Sequence, residues 1–286
     1  MPSFRLLFLA FAGLALSACS GAAVGIVNSL TDSDDVTAQT DVAYGPGPRN
    51  RMDIYRPAGA AADAPVIMFL YGGSWSSGDR AMYRFVGNAL ADEGFIVAIP
   101  DYRVYPDAVF PAFVDDAADA LSYVFDKVAQ RRPVFVVGHS AGAQIGALLT
   151  LDDRYLRREG LSACGTIAGF VGIAGPYDFL PLTSDRYRQT FPEATRADSQ
   201  PINFTTGRKP PSLLLHGRSD RTVEAQDSID LAQALQNSGN RSEARIYPGV
   251  GHINIVGAIS APFRSSAPTL ADIADFVRAT GSGRQC

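Results

Sequence analysis

The feature that most constrains this chain is a five-residue turn at the end of an apolar segment. Residues 134–137 are Val-Phe-Val-Val, which predicts a buried strand, and residues 138–142 continue as Gly-His-Ser-Ala-Gly. Small residues dominate positions 141–149, which predicts a helix directly after the turn. A strand that reverses so sharply into a helix leaves no room for side chains at 138 and 142, so both positions require glycine. Such a turn leaves the Ser140 hydroxyl exposed at its tip.

An exposed serine is a weak nucleophile, so it requires a base and an acid that orients the base. The chain contains three histidines. We expect His139 to point away from the turn, and His216 ends a predicted strand just before Asp220. His252 is the histidine that follows Asp220, which predicts Ser140, Asp220 and His252 as nucleophile, acid and base.

With the strand, the turn, the helix and this order of partners, the chain resembles the α/β-hydrolase superfamily. Residues 71–79, Tyr-Gly-Gly-Ser-Trp-Ser-Ser-Gly-Asp, are similar to the H-G-G-x-W or H-G-G-G segment of hormone-sensitive-lipase-like and arylformamidase-like carboxylesterases. That resemblance implies an oxyanion hole formed by the backbone amides of Gly73, Ser74 and Ala141. Tyr71 stands where these groups usually have histidine.

Two other carboxylates compete with Asp220 for the role of acid. Asp178 also follows a predicted strand and is the main rival, and Glu224 comes third. Asp220 is preferred because residues 216–223 read H-G-x-x-D-x-x-V, which matches the family position.

The substrate pocket is less well specified. Trp75, the sole tryptophan, and Tyr71 are candidates for its lining, although Trp75 could equally pack beneath the loop. Residues 183–209 separate two strands and are too long for a simple connection, which predicts a small cap over the pocket.

Strand and helix patterns alternate along the chain. Strands are predicted at 51–57, 66–70, 95–99, 134–137, 169–173, 211–215 and 244–247, and helices at 80–93, 113–130, 141–149, 224–237 and 269–279. This alternation predicts an α/β fold with a mostly parallel sheet of about eight strands and helices on both faces. The catalytic domain is expected over residues 41–286, with the site at the carboxyl ends of the strands.

The N-terminal segment predicts export. Residues 1–18 place Arg5 before the apolar stretch 6–16, which is typical of a signal peptide and short for a membrane span. Residues 16–19, Leu-Ser-Ala-Cys, resemble a bacterial lipobox, which implies a lipidated Cys19, although a chance cysteine after an ordinary signal peptide is the alternative. Ser20 favours the outer membrane, so we expect a cell-envelope lipoprotein facing the periplasm. Residues 19–40 are predicted to be a flexible tether.

Composition limits the partners. A net charge of −4 gives no reason to expect nucleic acid, and the membrane is expected to contact the N-terminal lipid alone. Histidines and cysteines lack metal-ligand spacing, and no dinucleotide motif is present, so we expect neither metal nor cofactor. Cys164 and Cys286 either form a disulfide or remain thiols.

The resemblance implies a serine carboxylesterase. The small cap predicts a fairly open site, which suits a small ester or an acylated polymer better than a long triglyceride. Two alternatives remain open: an arylformamidase-like amidase with the same triad, and a non-catalytic binding protein of the cell envelope.

Overall fold

The computed structural model describes residues 34–281 and 286. Its strands form one eight-stranded sheet in the order β1-β2-β4-β3-β5-β6-β7-β8. The strands are β1 (Val36–Ala43), β2 (Arg51–Pro57), β3 (Val66–Leu70), β4 (Ile96–Pro100), β5 (Val134–His139), β6 (Ile167–Ile173), β7 (Ser212–Gly217) and β8 (Ser242–Tyr247). β2 is antiparallel to both β1 and β4, and the other pairs are parallel. The predicted mostly parallel sheet is therefore confirmed.

Helices cover both faces of this sheet. They are α1 (Arg84–Asp92), α2 (Ala112–Tyr123), α3 (Ala141–Leu151), α4 (Asp153–Arg158), α5 (Ala163–Thr166), α6 (Asp185–Thr190), α7 (Ala225–Asn237), α8 (His252–Gly257) and α9 (Thr269–Thr280). Gly146 of α3 packs against Phe170 of β6, where an added Cβ would lie 3.0 Å from the Phe170 ring. Gly169, the residue before Phe170 in β6, packs against α9, where an added Cβ would lie 2.9 Å from the Phe276 ring. Because successive strand residues point to opposite faces, α3 and α9 pack on opposite sides.

The central strands are apolar because no face of them meets water. Every residue of β3, β5 and β6 is buried. A parallel strand that is covered on both faces has a continuous run of apolar residues rather than alternating apolar and polar residues. The runs on which the strand predictions depended are a direct consequence of this arrangement.

The predicted tether overlaps the fold, and this part of the prediction is wrong. Residues 36–40 belong to β1, which pairs with β2 from Val36 opposite Pro57 to Ala43 opposite Arg51. Six of the eight residues of β1 are exposed and four are polar, so backbone pairing rather than a buried apolar face holds the strand at the sheet edge. The expected signal peptide, Cys19 and the rest of the tether lie outside the described residues.

Two predicted helices are interrupted. The segment predicted at 80–93 begins with a 3₁₀ turn, Arg80–Tyr83, in which the Asp79 side chain accepts the Met82 amide at 3.1 Å. α2 ends at Tyr123 and continues as a wider turn over Val124–Val128. Residues 183–209 contain α6 and two 3₁₀ segments, Glu193–Ser199 and Pro201–Phe204.

A disulfide joins the two cysteines of the described chain. Cys164 lies in α5 just before β6, and Cys286 lies beyond α9, with their Cα atoms 5.4 Å apart. Of the two states that the sequence left open, the structure has the bonded one. Within residues 34–281, no helix is both long enough and apolar enough to cross a membrane.

Candidate active site

Ser140 occupies the turn between β5 and α3 in a strained conformation. Its φ of 53° and ψ of −121° lie where residues other than glycine are uncommon. A Cβ on Gly138 would approach the Gly142 carbonyl oxygen to 2.3 Å, and one on Gly142 would approach the Leu70 carbonyl oxygen to 2.1 Å. The Ser140 amide donates to the Ile173 carbonyl at 2.8 Å, which ties the turn to β6. The two flanking glycines are therefore a steric requirement.

The three residues predicted as nucleophile, base and acid lie together. Nε2 of His252 is 2.9 Å from Oγ of Ser140, and Nδ1 of His252 is 2.6 Å from Oδ2 of Asp220. Each follows the carboxyl end of a different parallel strand, namely β5, β7 and β8. Since the Asp220 carboxylate can only accept, Nδ1 carries the hydrogen and Nε2 is free to accept from the serine hydroxyl.

The Asp220 carboxylate is buried and fully engaged. Its Oδ1 accepts the amides of Thr222 at 2.8 Å and Val223 at 3.0 Å, while Oδ2 receives His252 and, at 3.2 Å, Nε2 of His216. Burial raises the pKa of Asp220, but the hydrogen bonds from His216, His252 and the two amides outweigh burial and hold the pKa well below its usual value. The carboxylate is therefore ionised at neutral pH.

The rival acids lie elsewhere in the site. Asp178 and Glu224 are exposed side chains in the wall of the cavity. Neighbouring Asp227 accepts the Tyr177 amide at 3.1 Å, and burial raises the pKa of Asp227 to about 6. Of the three candidate carboxylates, Asp220 is the one that contacts Nδ1 of His252.

The glycine-rich loop after β3 is strained. Gly73, Ser74 and Trp75 have φ values of 148°, 52° and 56°, and a Cβ on Gly73 would lie 2.0 Å from the Ser77 carbonyl oxygen. Within residues 34–281, the amides of Gly73, Ser74 and Ala141 donate to no other backbone carbonyl. Of these three residues, Ser74 lines the cavity that contains Ser140.

Tyr71 anchors this loop and does not line the pocket, which corrects the expectation for it. Its ring is fully buried and stacks on Tyr102 with centroids 4.7 Å apart. Its hydroxyl donates to Oδ1 of Asp101 at 2.9 Å and accepts from Nη2 of Arg49 at 2.8 Å. Arg49 also donates to the Gly78 carbonyl at 2.8 Å, so the tyrosine joins a polar network under the loop.

Trp75 both packs and lines the cavity, so the two roles considered for it coexist. Its Nε1 donates to Oε1 of Gln144 at 3.0 Å, and Gln144 in turn donates to the Ser199 carbonyl at 2.7 Å. The indole ring lies against Phe179 and Phe191, with centroid distances of 5.5 and 4.8 Å. The loop is thereby connected to the segment predicted as a cap.

A cavity of about 440 Å³ opens onto Ser140. Its wall is formed by the glycine-rich loop, the chain after β6, the loop after β7 and part of the predicted cap. The lining residues are Ser74, Trp75, Ser140, Pro176, Asp178, Phe179, Leu180, Pro181, Leu182, Thr183, Tyr187, Thr222, Val223, Glu224 and Asp227. Within residues 34–281, no group of three or more His, Cys, Asp or Glu side chains is placed to hold a metal ion.

The contacts of the two remaining histidines were not predicted from the sequence. His139, which was expected to point away, has its ring 5.1 Å from that of His252 and its Nε2 3.1 Å from the His252 carbonyl oxygen. Burial, followed by the neighbouring His252, lowers the pKa of His139 to about 3, so the ring is neutral and Nε2–H donates. His216 contacts Asp220. The available signal was that His139 precedes Ser140 and that His216 lies four residues before Asp220. Neither the His139 contact nor the His216 contact follows from that spacing.

A family model and several curated proteins match this chain. The BD-FAE family model matches residues 52–235. An isoprenylcysteine alpha-carbonyl methylesterase from Arabidopsis thaliana is 28% identical over 257 residues, which cover 81% of this chain and 60% of that protein. Kynurenine formamidase from Salmo salar is 24% identical and covers 77% of this chain and 76% of its own length.

The match to the plant methylesterases is partial, since the chain spans only 50% to 60% of their lengths. Among solved structures, Esterase B from Lactobacillus rhamnosis superposes with a TM-score of 0.77 at 18% identity, over 94% of this chain and 95% of that one. At this identity the comparison establishes the fold, and the chain has the α/β-hydrolase fold.

Proposed function

Because the chain belongs to the BD-FAE family, we propose that it is a serine hydrolase of carboxylic esters with Ser140, His252 and Asp220 as its triad. The observation that carries this proposal is the pair of hydrogen bonds through His252, 2.9 Å to Ser140 and 2.6 Å to Asp220. The methylesterase relatives support the ester as the bond cleaved.

Acylation follows from this geometry. As Oγ of Ser140 attacks the ester carbonyl, its proton passes to Nε2 of His252. The resulting imidazolium donates through Nδ1 to Asp220, whose negative charge stabilises it without taking the proton. The carbonyl π electrons move onto oxygen, which gives a tetrahedral oxyanion.

The amides of Gly73, Ser74 and Ala141 receive this oxyanion. Each such donor contributes about 3 kcal/mol when it is aimed at the developing charge before the reaction begins. The strained backbone of the loop and the buried network at Tyr71 hold the donors in place, so little reorganisation is needed.

Collapse of the intermediate completes the cycle. The C–O bond to the alcohol breaks, and Nε2 of His252 returns its proton to the leaving oxygen. The acyl group remains on Ser140. Water then attacks the acyl carbonyl, gives its proton to His252 and releases the carboxylic acid, while Ser140 recovers its hydrogen.

The cavity suggests the size of the substrate. A volume of about 440 Å³ is in the range of small-molecule sites. Leu182 and the cap residues Thr183 and Tyr187 narrow the cavity, which favours a small ester or a short acyl group on a polymer over a long triglyceride.

Amide cleavage is the second candidate. The relative from Salmo salar is a formamidase, and the match covers 76% of its length. The same triad would serve, because His252 can protonate a departing amine as it does an alcohol.

Hydrolysis of p-nitrophenyl esters from acetate to palmitate tests the proposal. We expect Ser140→Ala to lower kcat by at least about 10⁴-fold, and the exposed Ser266→Ala to match the wild type as a control. Activity on N-formyl aryl amides but not on esters would favour the amidase. If no substrate turns over and a fluorophosphonate fails to label Ser140, a binding role replaces the hydrolase.

We also propose that Cys19 carries lipid and holds the protein in the cell envelope, facing the periplasm. The lipobox-like residues 16–19 support this anchor. Metabolic labelling with palmitate should mark the wild type and not Cys19→Ser, and equal labelling of both would contradict the proposal.

A further inference from the structure

His216 makes polar contacts on both sides of its ring, although it is fully buried near the end of β7. Its Nε2 lies 3.2 Å from Oδ2 of Asp220 and 3.1 Å from the Val223 carbonyl oxygen. Its Nδ1 lies 2.8 Å from Oγ of Ser228 in α7. The ring therefore connects the core strand, the loop of Asp220 and the following helix.

These neighbours determine the hydrogen positions on His216. An ionised carboxylate and a carbonyl oxygen can only accept, so Nε2 carries the hydrogen that faces Asp220 and Val223. Nδ1 is then the bare nitrogen and accepts the hydroxyl hydrogen of Ser228. A neutral imidazole in this arrangement is a donor whose orientation is locked from both sides.

The two oxygens of Asp220 are held by different parts of the fold. Oδ1 is held by the amides of Thr222 and Val223, which belong to the same loop as Asp220. Oδ2 is held by His252 and by His216, and of these only His216 belongs to the sheet. Without His216, Oδ2 would be held only by His252, the first residue of α8.

We infer that His216 is a positioning residue, which holds Oδ2 of Asp220 against Nδ1 of His252 and shares the charge of the carboxylate. The inference rests on the proposed function, because it assigns a role within the same triad. Packing alone does not explain the residue, since the nearest residue of β7 on the same face, Leu214, is apolar and fully buried. A buried imidazole is tolerated here because each nitrogen has a partner.

Two substitutions separate positioning from packing. His216→Leu fills the site but removes the N–H, while His216→Gln places an amide N–H close to the former Nε2. For p-nitrophenyl acetate, we expect His216→Leu to lower kcat by about 10- to 100-fold, as expected for a lost charge-assisted hydrogen bond. KM should change less than about threefold, and His216→Gln should recover most of kcat.

The pH profile gives an independent readout. In His216→Leu, Asp220 keeps more of its charge for His252, which stabilises the imidazolium and the inactive protonated triad. The acid limb of kcat/KM should therefore move to higher pH in His216→Leu and stay near the wild-type position in His216→Gln. If the leucine variant does not fold, His216→Asn replaces it, because its shorter amide cannot reach Asp220.

The inference is overturned if folded His216→Leu or His216→Asn keeps wild-type kcat and acid limb. It is also overturned if His216→Gln loses as much activity as His216→Leu, because the N–H would then be irrelevant. The rate of fluorophosphonate labelling of Ser140 gives the same comparison independently of the ester chosen. Wild-type protein that neither turns over nor labels would refute the proposed function itself, whereas active wild type with insensitive His216 variants refutes the positioning role alone.

Discussion

Replacing Asp220 with asparagine sets an NH₂ group against two ring nitrogens that already carry hydrogens. The amides of Thr222 and Val223, at 2.8 and 3.0 Å, keep the remaining carbonyl oxygen at the Oδ1 position. The new NH₂ group then faces Nδ1 of His252 and Nε2 of His216. The His252 ring must change tautomer to accept from it, because two donors cannot share a hydrogen bond, whereas His216 can still donate to the Val223 carbonyl.

The tautomer change disables the base. Once the hydrogen of His252 has moved to Nε2, that atom can no longer take the proton of Ser140. A triad in the wrong tautomer loses about 10⁴-fold in kcat, which corresponds to about 5.5 kcal/mol of transition-state stabilisation. KM for a small ester should change little, because Asp220 is not among the residues that line the cavity.

Steady-state hydrolysis of p-nitrophenyl acetate measures this loss, with the rival acid Asp178 as the matched control. Asp178→Asn should stay within about tenfold of the wild type, since Asp178 is an exposed wall residue and does not face Nδ1 of His252. The reasoning fails if folded Asp220→Asn keeps kcat within tenfold of the wild type. It also fails if Asp178→Asn is the more damaging substitution.

Three further perturbations follow from the structure. Gly73→Ala places a Cβ 2.0 Å from the Ser77 carbonyl oxygen, so it should displace the oxyanion loop and lower kcat about 100-fold; an unchanged kcat would remove Gly73 from the oxyanion hole. Burial lowers the pKa of His139 to about 3 in the folded protein, below that of an unfolded histidine. The stability that comes from this neutral ring is therefore fully present above about pH 6.5 and is lost toward pH 3, at about 1.4 kcal/mol per pH unit. Urea unfolding of His139→Leu between pH 7 and 5 should lack that part of the slope, and curves parallel to those of the wild type would contradict it. The double variant Cys164→Ser, Cys286→Ser opens a link between residues 122 positions apart, so it should lose about 4–5 kcal/mol of unfolding free energy with kcat at 25 °C retained; a loss below about 1 kcal/mol would show that the bond constrains the unfolded chain little.

The elements that local chemistry determines were predictable from the sequence. The buried strands are recognisable as apolar runs, as in Val66–Leu70, because both faces of the sheet are covered. The turn at Ser140 was predictable because steric crowding at Gly138 and Gly142 acts over a few residues. The order of Asp220 and His252 along the chain then identified the partners, since the carboxyl ends of parallel strands share one edge.

Features that depend on distant contacts were not predictable in this way. His139 meets the His252 carbonyl across 113 positions, and no pattern around either residue encodes that approach. Tyr71 was wrongly predicted to line the pocket. Its actual partners, Asp101 and Arg49, are distant in the sequence and reach its hydroxyl only in the folded protein. Residues 36–40 of β1 were predicted as part of the tether because an exposed edge strand gains its stability from backbone pairing, which leaves little trace in side-chain polarity.

The position of Trp75 gives this protein a built-in optical reporter. The chain has one tryptophan, and the structure places it in the wall of the cavity, hydrogen-bonded to Gln144. The intrinsic indole emission of the whole molecule therefore originates in the same cavity as Ser140, without background from other tryptophans. In Ser140→Ala, which cannot form the acyl-enzyme, quenching or a spectral shift on adding an intact ester would follow occupancy directly. Candidate ligands can thus be ranked by affinity without labels and without turnover.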